Sequence, residues 1–261
     1  MQVPTLSIVL ILLDMLLGIA IPVVLAVLLR KKYGAALKPF FIGALTMLVF
    51  ALVLEQIAHS LILSTPEGKL IQSSLWLMGL YGGLMAGLFE ETGRLISMKL
   101  LLKKQQNDPH NALMYGAGHG GIEMAAILTI GMLNNAIYAI LLNAGKLDVL
   151  LAPLDESAQA TLMVGVRTLA QTEPTMFLVS IAERLGALGA QLALSVLVWF
   201  AATKPERKRY YFLAVGLHFL LDALSAIAAR AGISILAIEA VVWLLAALYL
   251  LLARAVWKKE T

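Results

Sequence analysis

Seven apolar stretches follow one another along the chain, at roughly residues 5–29, 38–63, 70–102, 112–143, 174–202, 210–229 and 233–257. Each reaches about 20 residues or more, the length an α-helix needs to cross the hydrocarbon core of a bilayer. No series of short alternating strands is present, so a helical bundle is the spanning architecture the pattern predicts. The connections are short and polar except for residues 144–173. There Asp148, Asp155, Glu156 and Glu173 accompany Leu162, Val166 and Leu169 at near-helical spacing, which predicts a helix lying at the outer interface. Thr172-Glu173-Pro174 then marks a helix start, with proline where a missing N–H does no harm. The expectation is a single integral membrane domain over residues 1–261, all-α, with about seven spanning helices.

Composition strengthens this picture. With 61% hydrophobic and 14% charged residues among 261, the chain is no soluble globular domain. Cysteine is absent, which removes disulfides, thiolate metal ligands and a cysteine nucleophile together. The first stretch has no basic leader and carries Asp14 near its middle, so it reads as a retained helix and not as a secretion signal. Charge then gives direction. Arg30, Lys31, Lys32, Lys38, Lys99, Lys103, Lys104, Lys204, Arg207, Lys208, Arg209, Arg254, Lys258 and Lys259 fall on one side of the alternating crossings, and only Lys69, Lys146, Arg167 and Arg230 on the other. The rule that basic loops stay inside puts the N-terminus outside and the C-terminus in the cytoplasm, and the expected location is the plasma membrane as a multi-pass protein. The net charge of +4 follows from this topology and does not indicate a nucleic-acid partner.

Polar residues inside the apolar stretches carry the chemistry. The third stretch contains Phe89-Glu90-Glu91-Thr92-Gly93-Arg94. An ionisable group at the middle of a membrane helix costs about 2.5 to 3.5 kcal/mol on insertion scales, so three within five residues must face the protein interior or trapped water. At 100° per residue Gly83, Gly87, Glu90 and Arg94 form one narrow stripe along which a neighbouring helix can approach closely, and Glu91 reaches Arg94 at i,i+3. The fourth stretch opens with Tyr115-Gly116-Ala117-Gly118-His119-Gly120-Gly121-Ile122-Glu123, and Tyr115, His119 and Glu123 share a face. Four glycines around one histidine predict close backbone approach or local unwinding. In the sixth stretch His218 and Asp222 share a small, polar face with Tyr211, Ala214, Ser225 and Ala229.

At 1.5 Å per residue, Glu90 lies about 20 Å in from Lys103, His119 about 12 Å from Asn111 and His218 about 13 Å from Arg209, with Glu123 and Asp222 one turn deeper and level with Glu90. Three helices thus bring carboxylates and imidazoles to one level in the cytoplasmic half of the membrane. Glu55, Gln56 and His59 read as polar groups near the outer interface, Glu239 lies toward the same side, and Glu183-Arg184 reads equally well as a helix contact or as chemistry.

The usual hydrolase signatures are missing. There is no His-Glu-x-x-His for zinc, no Gly-x-Ser-Gly for a serine nucleophile and no Gly-x-Gly-Asp for paired aspartates. Carboxylate plus imidazole remains: a glutamate as general base, a histidine donating to a developing oxyanion. Glu90-Glu91-x-x-Arg94, Tyr115-x-x-x-His119 and His218-x-x-x-Asp222 resemble, in that order, the three motifs of the CAAX-prenyl-protease and bacteriocin-processing group of intramembrane proteases. Phe-Glu-Glu-x-Gly-Arg followed by Gly-His-Gly-Gly-Ile-Glu is similar more closely to the YhfC-type intramembrane peptidases, from about the third stretch onward.

The resemblance implies an intramembrane endopeptidase acting on a membrane-embedded or lipidated peptide within the bilayer. Glu90 would activate water, Glu91 and Arg94 would support it, His119 would be a second group on the water, and His218 with Asp222 would form the oxyanion site. Two features depart from the broader group: the arginine is one residue nearer, and Asp222 stands where that group has asparagine. A carboxylate there leaves room for a bound metal, with zinc the candidate and Glu90, His119 and His218 the candidate ligands. The competing classes are a proton- or ion-coupled transporter using the same relay and a noncatalytic membrane scaffold; no inverted repeat supports the transporter.

The charge bias predicts that a reporter fused within residues 203–209 reads cytoplasmic and one fused near residue 155 reads outside. Both reporters on one side would refute seven crossings.

Overall fold

The computed structural model describes residues 1–261 and is all-helical. In chain order the helices are α1 (Thr5–Tyr33), α2 (Lys38–Leu63), α3 (Pro66–Ser73), α4 (Leu75–Leu101), α5 (His110–Asn143), α6 (Asp148–Leu151), α7 (Glu156–Gln171), α8 (Thr175–Thr203), α9 (Arg209–Arg230) and α10 (Ile235–Glu260). Single π-helical segments interrupt α2 at Phe50–Glu55 and α5 at Ala125–Gly131.

Local sequence sets the ends. Ser74 is extended and its hydroxyl accepts from the Leu77 amide, so the apolar stretch expected to start near residue 70 is broken there and α4 begins at Leu75. Thr65 accepts from Gly68 in front of α3, and Asp155 from Ala158 at the head of α7. Gly34 and Gly145, at φ of 70° and 65°, close α1 and α5 in the left-handed conformation that other residues adopt at a cost. The helix start read from Thr172-Glu173-Pro174 falls where expected, with α8 opening at Thr175.

Six helices, α1, α2, α5, α8, α10 and the stretch Pro205–Arg230 containing α9, are long and apolar enough to cross a membrane. Helix α4 has 27 residues, length enough for a crossing, but Glu90, Glu91 and Arg94 lower its apolar character.

The chain packs as two compact units. One comprises Met1–Ile21 and Met124–Arg184. Val3, Ile11, Ala136, Ala139, Leu169 and Phe177 form its core. The backbone of Val3 and the Asn143 side chain exchange two hydrogen bonds of 2.9 and 2.8 Å, tying the chain's start to the end of α5. Val166 and Leu169 are the buried face of α7, which has the amphipathic helical form expected of this segment.

The other unit comprises Pro22–Glu123 and Leu185–Thr261. Its centre is α8, buried on every side from residue 193 to residue 202 and packed with Met98, Tyr115, Tyr210, Val242 and Tyr249. An ion cluster closes one end: Glu260 takes the Tyr210 hydroxyl at 2.8 Å, the Arg207 guanidinium at 2.8 Å and Lys204 at 3.1 Å.

Missing side chains let the helices of this unit meet. A Cβ on Gly83 would stand 2.6 Å from the Phe219 carbonyl and one on Gly87 2.9 Å from that of Val215, so the small-residue stripe of α4 is where α9 lies. The glycines around His119 face three neighbours: Gly116 and Gly120 meet α8, Gly118 meets the Phe40 carbonyl of α2, and Gly121 meets Pro22 of α1. Close approach, not unwinding, is therefore their role, and residues 110–124 are regular α-helix.

A methyl group at Gly118 has to displace the backbone of Phe40, whereas one at Gly82 meets nothing within 4 Å. Gly118→Ala is expected to destabilise the purified protein by about 1 to 3 kcal/mol, with Gly82→Ala near neutral, as read by thermal unfolding in detergent.

Candidate active site

Four helices of the larger unit supply the site. Helix α4 carries Glu90, Glu91 and Arg94; α5 carries His119 and Glu123; α8 carries Gln191; α9 carries His218 and Asp222. Glu91, Arg94 and His119 are completely buried, and Glu90 is 6% exposed. The seven residues singled out from the sequence thus lie in one connected cluster.

Arg94 is its anchor. Its guanidinium lies 3.3 Å from Glu91 Oε1 and 3.5 Å from Glu90 Oε2, and it donates to both the side-chain oxygen and the backbone carbonyl of Gln191. The arginine therefore pairs with both carboxylates. The amide nitrogen of Gln191 in turn donates to Glu90 Oε2 at 3.2 Å and to Glu123 Oε2 at 2.7 Å. Glu123 joins the cluster through this amide.

The two imidazoles close the ring. His119 Nε2 lies 2.9 Å from Glu90 Oε2, so that one oxygen meets His119, Gln191 and Arg94. The other oxygen, Oε1, faces His218 Nε2 across 3.8 Å, too far for a direct hydrogen bond. His218 Nδ1 donates to Glu91 Oε1 at 2.7 Å, which fixes the ring and turns Nε2 toward Glu90 and toward Asp222 Oδ2 at 3.5 Å. Asp222 is the most open member, its side chain 39% exposed.

An outer layer holds these groups in place. The Tyr115 ring stacks on His119 with centroids 6.0 Å apart, and its hydroxyl meets Ser97 Oγ at 2.8 Å. Thr92 and Tyr211 join α4 to α9 through their hydroxyls at 2.9 Å.

Some groups and bonds were missed in the sequence. Gln191 belongs to no motif; a buried amide in an otherwise apolar helix was its only signal. Glu55 and His59, read as polar groups near the outer interface, also have bonded neighbours that the sequence did not show. Glu55 is 6% exposed and lies within electrostatic range of Glu90, His218 and Asp222, while His59 bonds to both Glu55 and Tyr81. Glu183 and Arg184 pair with each other in the smaller unit.

His218, held through Nδ1 by a carboxylate, has the support that metal-bound histidines have. Yet no three His, Asp or Glu side chains converge on a common point where a metal would bind, and Glu90 Oε2 is already taken by His119, Gln191 and Arg94. As arranged, the donor set does not fit a metal.

The family described as YhfC intramembrane metalloprotease matches the chain over residues 17–243, a span that includes every residue of the cluster. A Bacillus subtilis (strain 168) protein, described as uncharacterized membrane protein YhfC, is 37% identical over 231 residues, covering 87% of this chain and 88% of that protein. No solved structure matches. With its apolar helices and this match through the whole cluster, the chain is a multi-pass membrane protein and belongs to the YhfC family.

Proposed function

We propose that the protein is an intramembrane endopeptidase in which Glu90 activates a water molecule. The observation that carries this reading is the division of labour on one carboxylate: three donors hold Glu90 Oε2, and Oε1 is left facing His218 Nε2 at 3.8 Å. A base so held is oriented before substrate arrives. The family description supports the reaction class.

In the proposed mechanism a water lodged between Glu90 and the imidazoles gives its proton to Glu90 Oε1 while its oxygen bonds to the carbonyl carbon of the scissile peptide. Negative charge collects on the former carbonyl oxygen, where His218, positioned by Glu91 and with Asp222 beside it, donates a hydrogen bond. Collapse breaks the C–N bond as Glu90 returns the proton to the leaving nitrogen, giving one new carboxylate and one new amine. Arg94, Gln191 and Glu123 position Glu90 and do not touch substrate. The substrate would be a membrane-embedded or lipidated peptide reaching a site in the cytoplasmic half of the plasma membrane, with α4 as a seventh crossing.

The family's description as a metalloprotease favours a second reading in which a metal polarises the water. Chelation separates the two. Cleavage of a quenched-fluorescence membrane peptide should persist in chelator, with less than one zinc per chain; loss on chelation, restored by zinc, would replace the metal-free account and make Glu90, His119 and His218 its ligands.

Glu90→Gln keeps the size of the side chain but cannot accept the proton, so turnover should fall at least about a hundredfold with expression and substrate binding retained. His119→Ala and His218→Ala should fall similarly, and double variants should add little. Cleavage at the parental rate in Glu90→Gln would remove Glu90 from the role of base. Arg94→Ala leaves two carboxylates without their cation in a buried setting, and should cost about 3 to 5 kcal/mol of stability and lower folded yield as well as rate.

A further inference from the structure

We infer that Glu55, His59 and Tyr81 form the path by which water reaches Glu90, an inference that rests on the hydrolytic reading above. Hydrolysis consumes one water for each bond cut, and Glu91, Arg94 and His119 are completely buried. The water must enter along polar groups, since an apolar channel of molecular width does not hold it stably.

A polar file leads away from the cluster along α2. The π-helical turn Phe50–Glu55 of α2 packs on α4, where Phe50 and Thr46 meet the bare Cα of Gly93. Its last residue, Glu55, is 6% exposed and lies within electrostatic range of Glu90, His218 and Asp222. One turn on, His59 Nε2 lies 3.2 Å from Glu55 Oε1, and its Nδ1 lies 2.9 Å from the Tyr81 hydroxyl on α4. Tyr81 precedes Glu90 by nine residues, about 13 Å along the helix. Side-chain exposure rises along the file, from 8% at Glu55 to 22% at His59.

Gln56 and Ser60 are the other polar side chains of this stretch, exposed and bonded to carbonyls of their own helix. Ile57 and Leu61, on the far side of α2, are 52% and 67% exposed, as residues facing lipid would be. A carboxylate, an imidazole and a phenol bonded in sequence would be an expensive way to pack two helices; both nitrogens of His59 are engaged, and Glu55 and Tyr81 keep the acceptor or donor capacity that a passing water can use. The mechanism above assigns none of the three a step with substrate; they are positioning residues for water.

The chain has no cysteine, so single-cysteine variants of the full protein report without background. His59→Cys and Leu61→Cys would each be exposed in liposomes to a small charged methanethiosulfonate. Leu61 is nearer the helix end, so simple interfacial exposure would favour it. The path instead makes His59→Cys react at least about tenfold faster, as water-accessible thiolates react and lipid-facing thiols do not. Equal or slower reaction at residue 59 would overturn the proposal, whatever the protein cleaves.

Turnover gives the second arm. Glu55→Gln keeps a polar lining and should stay within about threefold of the parent, while Glu55→Leu blocks the file and should lose about tenfold in kcat with KM unchanged. Equal losses in the two variants, or no loss in either, would overturn it.

Discussion

A guanidinium with no exposure to solvent sets the terms for this structure. Arg94 carries a charge that cannot be shed, inside a chain whose other helices are built for lipid, and it is stable there because Glu90, Glu91 and two oxygens of Gln191 surround it. That requirement draws α4 and α8 together. Gln191, fixed by the arginine, has its amide nitrogen left for Glu90 and Glu123, and Glu91 has an oxygen left for His218. The orientation of both catalytic candidates, Glu90 and His218, thus descends from one buried cation.

Contact at this distance is possible only where side chains are missing. Gly83 and Gly87 admit α9 against α4, and Gly118 admits α2 against α5, so His119 and His218 arrive within reach of the same carboxylate. The network is bonded across four helices, with Glu91 Oε2, Arg94 Nε and His119 Nδ1 its buried polar atoms without a hydrogen-bond partner.

Much of this was legible in the sequence because membrane helices obey simple periodicity. The apolar stretches became helices with nearly the expected ends, and the stripe through Gly83, Gly87, Glu90 and Arg94 identified the face of α4 that meets its neighbours. The glycines flanking His119 announced close contact, although not that they would serve three different helices. Gln191 was hidden because a lone amide has no spacing that distinguishes it from a packing residue. The bonds of Glu55 and His59 to each other and to Tyr81 were not legible because depth counted from a loop says nothing of lateral neighbours. The π-helical turn that ends at Glu55 also changes which residues share a face, and 100° per residue does not register such a turn. The break at Ser74 was missed because Leu70 and Ile71 are as apolar as the helix they do not join.

The central claim is that Glu90 acts on water and not on the peptide itself. A carboxylate so close to two imidazoles has a second chemical option: direct attack on the scissile carbonyl to form an acyl-enzyme anhydride. Single-turnover cleavage in heavy-oxygen water, with enzyme in excess over a membrane peptide, detects an anhydride opened at Glu90 by mass spectrometry of both product and protein. Water activated by Glu90 places one heavy oxygen in the new carboxylate of the product and none in the protein. Label in the Glu90 side chain, with product released unlabelled, would contradict the account.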